Sequence, residues 1–153
     1  PSDRRSFATA GRAVDMTDRA ALCERVVDAL GDAVFFLDRD GVIRLWNPGA
    51  EELFGHEATD VVGRPVDAIV PERFRERHWT GWKRAMETGE TKYGRRQVLE
   101  TPVERADGSE VVVDLTVSFV TEDGEVTGMA AVARATDPGD DPATGERQRA
   151  GDR

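Results

Sequence analysis

Cysteine is almost absent from this 153-residue chain, and long apolar runs are absent altogether. The single cysteine, Cys23, excludes an internal disulfide and any cysteine-rich metal site. No window approaches the ~18–20 consecutive apolar residues of a membrane span, and no charged-then-apolar leader is present. We therefore expect a soluble, cytoplasmic protein.

Acidic residues outnumber basic ones, 30 to 21. The formal net charge of −9 argues against nucleic-acid backbones and anionic membrane surfaces as partners. We therefore expect no nucleic-acid or membrane partner.

Histidine occurs only twice, as His56 and His78. Neither has a cysteine or histidine partner at ligand spacing, so zinc is poorly supported. We expect His56, which follows Gly55 in a polar stretch, at the surface. The neighbouring carboxylates Glu51/Glu52, Asp38/Asp40 and Asp140/Asp141 fall in caps, turns and the tail, and no acid–base pair or Ser–His–Asp arrangement can be placed. The sequence therefore favours a protein that is not an enzyme.

What the chain does contain is one block of patterned sequence between two unpatterned ends. Residues 1–16 are small and polar and predict a flexible N-terminal segment. Residues 17–136 carry the apolar periodicity and predict one domain with an N-terminal helix. Residues 137–153 are charged and rich in Pro, Gly and Asp, so we expect a disordered tail or linker.

Within the domain, the order of elements is two strands, a run of helices and three further strands. Helical spacing predicts a helix at about 17–30, and period-two or apolar runs predict strands at about 33–37, 42–46, 93–103, 110–121 and 125–134. Short Asp/Gly turns join neighbouring strands. This order predicts an α+β fold, with a five-stranded antiparallel sheet and helices packed on one face.

The helix that begins near Pro71 carries the most informative pattern. Residues three and four apart share a helix face, so it presents one apolar stripe of Phe74, His78, Trp82, Ala85 and Met86. A titratable ring therefore sits within a largely apolar face. One interpretation is a core or boundary histidine with a hydrogen bond. The other is an axial ligand to a flat apolar cofactor such as haem.

Several of these segments together resemble a PAS domain. They are DRDG at 38–41, VIRLWNPGAEELFG at 42–55, VGRP at 62–65, and RADG at 105–108 before an alternating strand. The resemblance covers roughly residues 22–136 and implies the PAS fold. PAS domains bind haem, flavin, small metabolites or nothing, so the fold leaves the function open.

The segment PERFRERH at 71–78 resembles the oxygen-sensing haem PAS domains more specifically. That resemblance implies that His78 is the proximal ligand of haem b iron and that Arg84 and Lys92 meet the haem propionates. It also implies that Leu115 and Val117 belong to the distal wall. The remaining expected cofactor contacts are Phe74, Trp82, Tyr93, Leu99 and Met129.

The chain departs from that family at one position. The oxygen sensors place an arginine on the strand after the helix, and here the matching residue is Val98 or Leu99. Without this donor, CO or NO becomes more plausible than O2, although Tyr93 or Gln97 could supply a hydrogen bond. Met129 could be a sixth iron ligand, or simply a core side chain.

Two functions remain open. The first is a haem-binding PAS sensor of a diatomic gas (O2, CO or NO) or of redox state, a homodimer that signals to an output domain not present in this chain. The second is a PAS dimerisation or interaction module that holds no cofactor or an apolar metabolite, with His78 as a buried ring. Flavin photochemistry is disfavoured, since Cys23 lies in the wrong element for the reactive cysteine of the light-sensing family.

Overall fold

The computed structural model describes residues 16–89, 98–136 and 148–149. The helices within these ranges are α1 (Met16–Ala29), α2 (Pro48–Phe54), α3 (Ala58–Val61) and α4 (Glu72–Thr88), with a 3-10 turn at Val66–Ile69. The strands are β1 (Ala33–Asp38), β2 (Ile43–Trp46), β3 (Leu99–Glu104), β4 (Glu110–Glu122), β5 (Glu125–Ala135) and β6 (Gln148–Arg149).

The strands form one sheet in the order β2-β1-β5-β4-β3-β6. The first five strands of that order pair antiparallel, and β6 adds a two-residue parallel pairing beside β3. The predicted α+β fold, with a five-stranded antiparallel sheet and an N-terminal helix, is therefore confirmed. Residues 90–97, which include the first part of the predicted strand at 93–103, lie outside the described residues, as do most of the two predicted terminal segments.

The core lies between one face of this sheet and the helices. Alternate residues of β1 are buried, and the register aligns them across the sheet with buried residues of β5. Three rings fill the centre of this layer, since Phe35, Trp46 and Phe54 lie with ring centroids 5.1–5.7 Å apart. The period of two therefore fixes which face of the sheet receives the helices.

The buried polar side chain of Asn47 connects α1, β1 and α2 through hydrogen bonds. Its side-chain oxygen accepts hydrogen bonds from the backbone N–H groups of Val34 and Ala50, at 2.8 and 2.9 Å. The first bond ties Asn47 to β1, and the second caps the N-terminus of α2. Pro48 follows at the first helical position, where a missing N–H does no harm.

The amide nitrogen of Asn47 forms hydrogen bonds with the end of α1 and with the chain between α1 and β1. It donates to the backbone carbonyls of Val27 and Asp32 at 3.0 Å each, and to that of Leu30 at 3.5 Å. These carbonyls belong to the end of α1 and to the connection into β1. A single side chain, 1% exposed, therefore orients α1, β1 and α2 relative to one another.

Helix α1 packs lightly on this framework, and none of its residues is buried. Leu22, Val26 and Leu30 are each about half exposed, at 53%, 51% and 47%. They recur every four residues and form one apolar face, which we call the α1 stripe. No helix in the described ranges is long and apolar enough to cross a membrane.

Replacing Asn47 by Ala should lower the free energy of unfolding by about 3 kcal/mol. The change removes a helix cap, worth ~1 kcal/mol, and leaves buried backbone groups unpaired at about 1–3 kcal/mol. Urea unfolding followed by far-UV circular dichroism measures the loss.

Asn47→Ser is the matched variant, because serine restores the cap oxygen but is too short to reach the carbonyls of Val27 and Asp32. It should recover roughly the cap contribution of ~1 kcal/mol. A loss below about 1 kcal/mol in Asn47→Ala would show that the buried amide is not what holds this junction.

Candidate functional site

The predicted apolar stripe of α4 is present. Its C-terminal part is buried, and its N-terminal part is only partly buried. Trp82, Ala85 and Met86 are buried in the core, whereas Phe74 and His78 remain partly exposed. The accessible part of the stripe is therefore its N-terminal half.

Local interactions set where α4 begins and ends. The chain enters through Pro71, whose carbonyl accepts from the N–H of Phe74 at 2.8 Å, and leaves through Gly89 in the left-handed conformation. The side chain of Arg75 donates back to the carbonyls of Val70 and Asp67, at 2.9 and 3.2 Å. These contacts hold the start of α4 against the 3-10 turn.

On the outer side of α4, arginines cover Phe74 and reach the sheet. The guanidinium carbons of Arg73 and Arg77 lie 4.6 and 5.7 Å from the centroid of the Phe74 ring. Arg73 also forms a two-bond ion pair with Glu110 of β4, at 2.6 and 2.7 Å. Both partners of this pair are exposed, so its contribution to stability is small.

His78 lies against two tryptophan rings. Its ring meets Trp79 edge-on, at 4.9 Å between centroids and 81° between planes, and stacks on Trp82 at 6.0 Å and 22°. Its Nδ1 atom is buried and has no hydrogen-bond partner in the part of the chain that the structure describes. The hydrogen bond expected of an ordinary core histidine is thus missing at Nδ1.

Burial also sets the charge of this ring. Desolvation lowers the pKa of His78, and the carboxylate of Asp67 offsets part of that shift. Because the ordinary histidine pKa is already near 6.5, a lowered pKa leaves the imidazole neutral at pH 7. Neutral imidazole is the form that ligates metal ions.

Both tryptophans beside His78 are anchored by their indole N–H groups. Trp79 donates to Oδ1 of Asp67 at 2.7 Å, and Trp82 donates to the backbone carbonyl of Arg39 at 2.8 Å. Asp67 belongs to the 3-10 turn, and Arg39 to the turn between β1 and β2. The walls around His78 are therefore fixed by two separate elements.

The turn between β1 and β2 makes further contacts with α4. The guanidinium of Arg39 donates to the carbonyl of Val126 at 2.7 Å and, more weakly, to that of Met86 at 3.5 Å. Gly41 has a φ of +76°, and a Cβ on it would overlap the Trp79 ring. The turn thus fits directly against the rings that flank His78.

The apolar residues proposed for the distal wall lie on the sheet face that receives the helices. Leu99 pairs with Leu115 across β3 and β4, and Val117 lies two residues further along β4. Met129 pairs with Phe119 and Leu37 and is buried in the core. Within the described residues, no hydrogen bond or ring contact joins these side chains to His78.

Other predicted site residues are less informative. Arg84 is exposed on α4, and Lys92, Tyr93 and Gln97 lie outside the described residues. His56, expected at the surface, is half-buried, and its Nε2 is buried with no hydrogen-bond partner among the described residues. Its backbone carbonyl accepts from the indole N–H of Trp46 at 3.0 Å. The described residues contain no cluster of three or more His, Cys, Asp or Glu side chains suited to a metal ion.

Sequence reasoning missed Asp67 and Arg39. Each contacts a tryptophan of α4 from a different element, at separations of 12 and 43 residues. No periodicity or spacing rule connects positions so far apart. The only available signal was Trp79 itself, a large ring with a polar edge beside His78, which required a hydrogen-bond acceptor once buried.

The contact between Gly41 and Trp79 can be measured with a matched pair of glycine substitutions. Gly41→Ala adds a Cβ both in the left-handed region and against the Trp79 ring, whereas Gly63→Ala, at φ +94°, meets nothing within 4 Å. Gly63→Ala should cost about 1–2 kcal/mol for backbone conformation alone. Gly41→Ala should cost roughly 1–3 kcal/mol more, the usual range for overpacking.

Urea unfolding of both variants gives the difference. Equal losses would mean that the ring of Trp79 moves aside without cost.

Comparisons with known proteins agree with this architecture. A model of the PAS_4 family, described as "PAS fold", matches residues 27–137. The PAS domain of a Colwellia psychrerythraea protein superposes with a TM-score of 0.64 at 20% identity, covering 80% of this chain and 98% of that one.

Two curated relatives are similar in sequence. An uncharacterised protein of Azorhizobium caulinodans is 40% identical over 94 residues, which is 61% of this chain. The oxygen sensor protein DosP of Escherichia coli K12 is 29% identical over 104 residues, or 68% of this chain. The chain spans 13% of the length of each of these relatives. With the family model covering most of its length, this chain belongs to the PAS family.

Proposed function

We propose that this PAS domain binds haem b through His78 and senses a diatomic gas or the redox state of the iron. The observation that carries the proposal is the state of the His78 ring, which is neutral, half-buried and has a buried nitrogen without a hydrogen-bond partner in the described chain. A neutral imidazole is the form of histidine that can ligate haem iron. The resemblance of residues 71–78 to the haem PAS domains and the similarity to a protein named as an oxygen sensor support the same choice.

The residue types on the His78 face of α4 and on the facing side of the sheet would suit a flat, largely apolar group with two carboxylates. Phe74 and Trp82 share its helix face, and Leu99, Leu115 and Val117 lie on the sheet face that receives the helices. Arg84, with Lys92 on the segment that follows, would meet the propionates at an exposed edge. When bound, haem supplies an iron centre to which a gas molecule can coordinate.

The chain's own residues would prepare that centre. His78 offers a lone pair at neutral pH, because burial keeps its proton off. Asp67 holds the Trp79 ring, which in turn limits the orientation of the imidazole. The apolar side chains of β3 and β4 would exclude water from the gas side.

The gas is the next choice. Leu99 and the neighbouring Val98 carry no hydrogen-bond donor at the position where oxygen sensors have an arginine. We therefore propose CO or NO ahead of O2, with Tyr93 or Gln97 as the candidate donors if O2 is bound. Met129 is buried beside Phe119 and Leu37, which supports a packing role over that of a sixth ligand.

The signal would pass to a region outside this chain. The chain corresponds to about an eighth of its curated relatives, so we propose that it works as the sensory part of a longer cytoplasmic protein. An exposed free thiol at Cys23 is compatible with that reducing compartment.

An absorption spectrum tests the haem proposal. Protein produced with ample haem supply should show a strong Soret band, and His78→Ala should lose or shift it. His56→Ala is the matched control and should keep the band, because only His78 lies on the apolar face of α4. Addition of O2, CO and NO in turn then identifies the gas. Wild-type protein without a Soret band after haem titration would rule out this function.

A second function is favoured by the α1 stripe. Leu22, Val26 and Leu30 leave an apolar face uncovered on a helix with no buried residue. Isolated exposed apolar side chains are ordinary, but a continuous stripe on one helix is typical of a contact between proteins. The alternative is therefore a PAS dimerisation module without haem, which uses α1 and the sheet.

Val26→Asp should shift the protein from dimer to monomer, because it buries a charge in the apolar contact. Ala20→Asp adds the same charge on another face of α1 and should leave the dimer intact. Light scattering after size-exclusion chromatography gives the mass of each variant. A monomeric wild type, or equal behaviour of the two variants, would contradict dimerisation through the α1 stripe.

A further inference from the structure

An open cleft lies at the end of the sheet where β1 begins and β5 ends. Its volume is about 290 Å³. The lining residues come from β1 and the connection before it, from α2, from Arg105 after β3, and from the last residues of β5. None of them lies on α4 or among the residues proposed to hold haem.

Small side chains create this space. Its floor is Ala33 and Ala133, which pair across β1 and β5, and Gly31, Gly49 and Ala135 lie around them. At Gly49, a Cβ would overlap the backbone carbonyl of Asp32, so α2 approaches the start of β1 too closely for any larger residue. The cleft is therefore a product of the packing between α2 and the sheet.

The charges around the cleft do not all neutralise one another. Arg134 and Asp32 form an ion pair at 3.0 Å. Arg105 is half-buried, and its Nε is buried with no hydrogen-bond partner among the described residues. Glu52, exposed on α2, takes part in none of the ion pairs found in the same ranges. The cleft thus retains a guanidinium N–H without an acceptor in the described chain and a carboxylate outside these ion pairs.

We propose that this cleft binds a small zwitterion, of the free α-amino acid class. The buried N–H of Arg105 lacks an acceptor, and a guanidinium is geometrically matched to a carboxylate. Glu52 offers a carboxylate to the ammonium group of the same ligand. At about 290 Å³, near the lower limit of ligand pockets at ~300 Å³, the cleft admits only a small molecule.

The proposal is tested by isothermal titration calorimetry on the whole chain with L-alanine, L-valine and L-glutamine. Acetate, which has only the carboxylate group, and methylammonium chloride, which has only the ammonium group, are the controls at matched ionic strength. At least one of the amino acids should bind saturably, and each control should bind about tenfold more weakly or worse, since each loses one charge-assisted hydrogen bond. Absence of saturable binding by all three amino acids would overturn the proposal, as would acetate binding equally well.

Variants locate the binding. Arg105→Gln should weaken it about tenfold or more by removing the charged donor. Ala135→Leu fills the cleft without touching Arg105 and should weaken binding similarly. Arg73 is an exposed arginine on α4, which does not line the cleft. Arg73→Gln should therefore change the affinity by no more than about twofold.

His78→Ala should also leave amino-acid binding unchanged, which separates this site from haem. If Arg105→Gln and Ala135→Leu both bind as wild type does, the ligand occupies another place and the inference is wrong.

Discussion

The fold depends on one buried side chain that satisfies five backbone groups. Asn47 is a polar residue in an apolar core, yet both its side-chain oxygen and its amide nitrogen form hydrogen bonds. These bonds compensate for the cost of removing its side chain from water. Apolar contacts between α1, β1 and α2 would tolerate several relative positions, whereas hydrogen bonds of about 3 Å with fixed directions tolerate few. Asn47 therefore makes the junction between α1, β1 and α2 a specific one, and the relative positions of these three elements depend on it.

Apolar and polar contacts also have separate roles around His78. The apolar stripe of α4 supplies the burial, but it is the polar edges of Trp79 and Trp82 that fix where the rings lie, through Asp67 and the carbonyl of Arg39. The histidine between them is the member of the group whose buried nitrogen finds no partner in the described chain. A core selected for stability alone would be expected to provide hydrogen-bond partners for all of its buried polar atoms. Here the two indole N–H groups have partners and Nδ1 of His78 has none in the described chain.

Much of this could be predicted from the sequence, and the reasons are physical. Alternation along β4 and β5 and the Asp/Gly turns specify strands and hairpins locally, so these two strands were predicted with ends close to those observed. The stripe on α4 was predicted from a different local pattern, the spacing of three and four residues that places side chains on one helix face. The central role of Asn47 was not predicted, because its bonds to the carbonyls of Val27 and Asp32 join residues 20 and 15 positions away and exist only after folding. The Arg105 cleft was missed likewise, since a cavity is a property of packing.

The turn between β1 and β2 has a bearing on protein engineering. Short hairpin tips are usually where a chain accepts insertions. Here the tip is anchored to its neighbours, because the Arg39 side chain donates to the carbonyls of Met86 and Val126 and the Trp79 ring lies against Gly41. The turn between β4 and β5 has the opposite character, since the residues at 121–125 are all exposed and a Cβ at Gly124 would meet nothing within 4 Å. A fluorescent tag or peptide epitope built into this domain therefore belongs in the second hairpin.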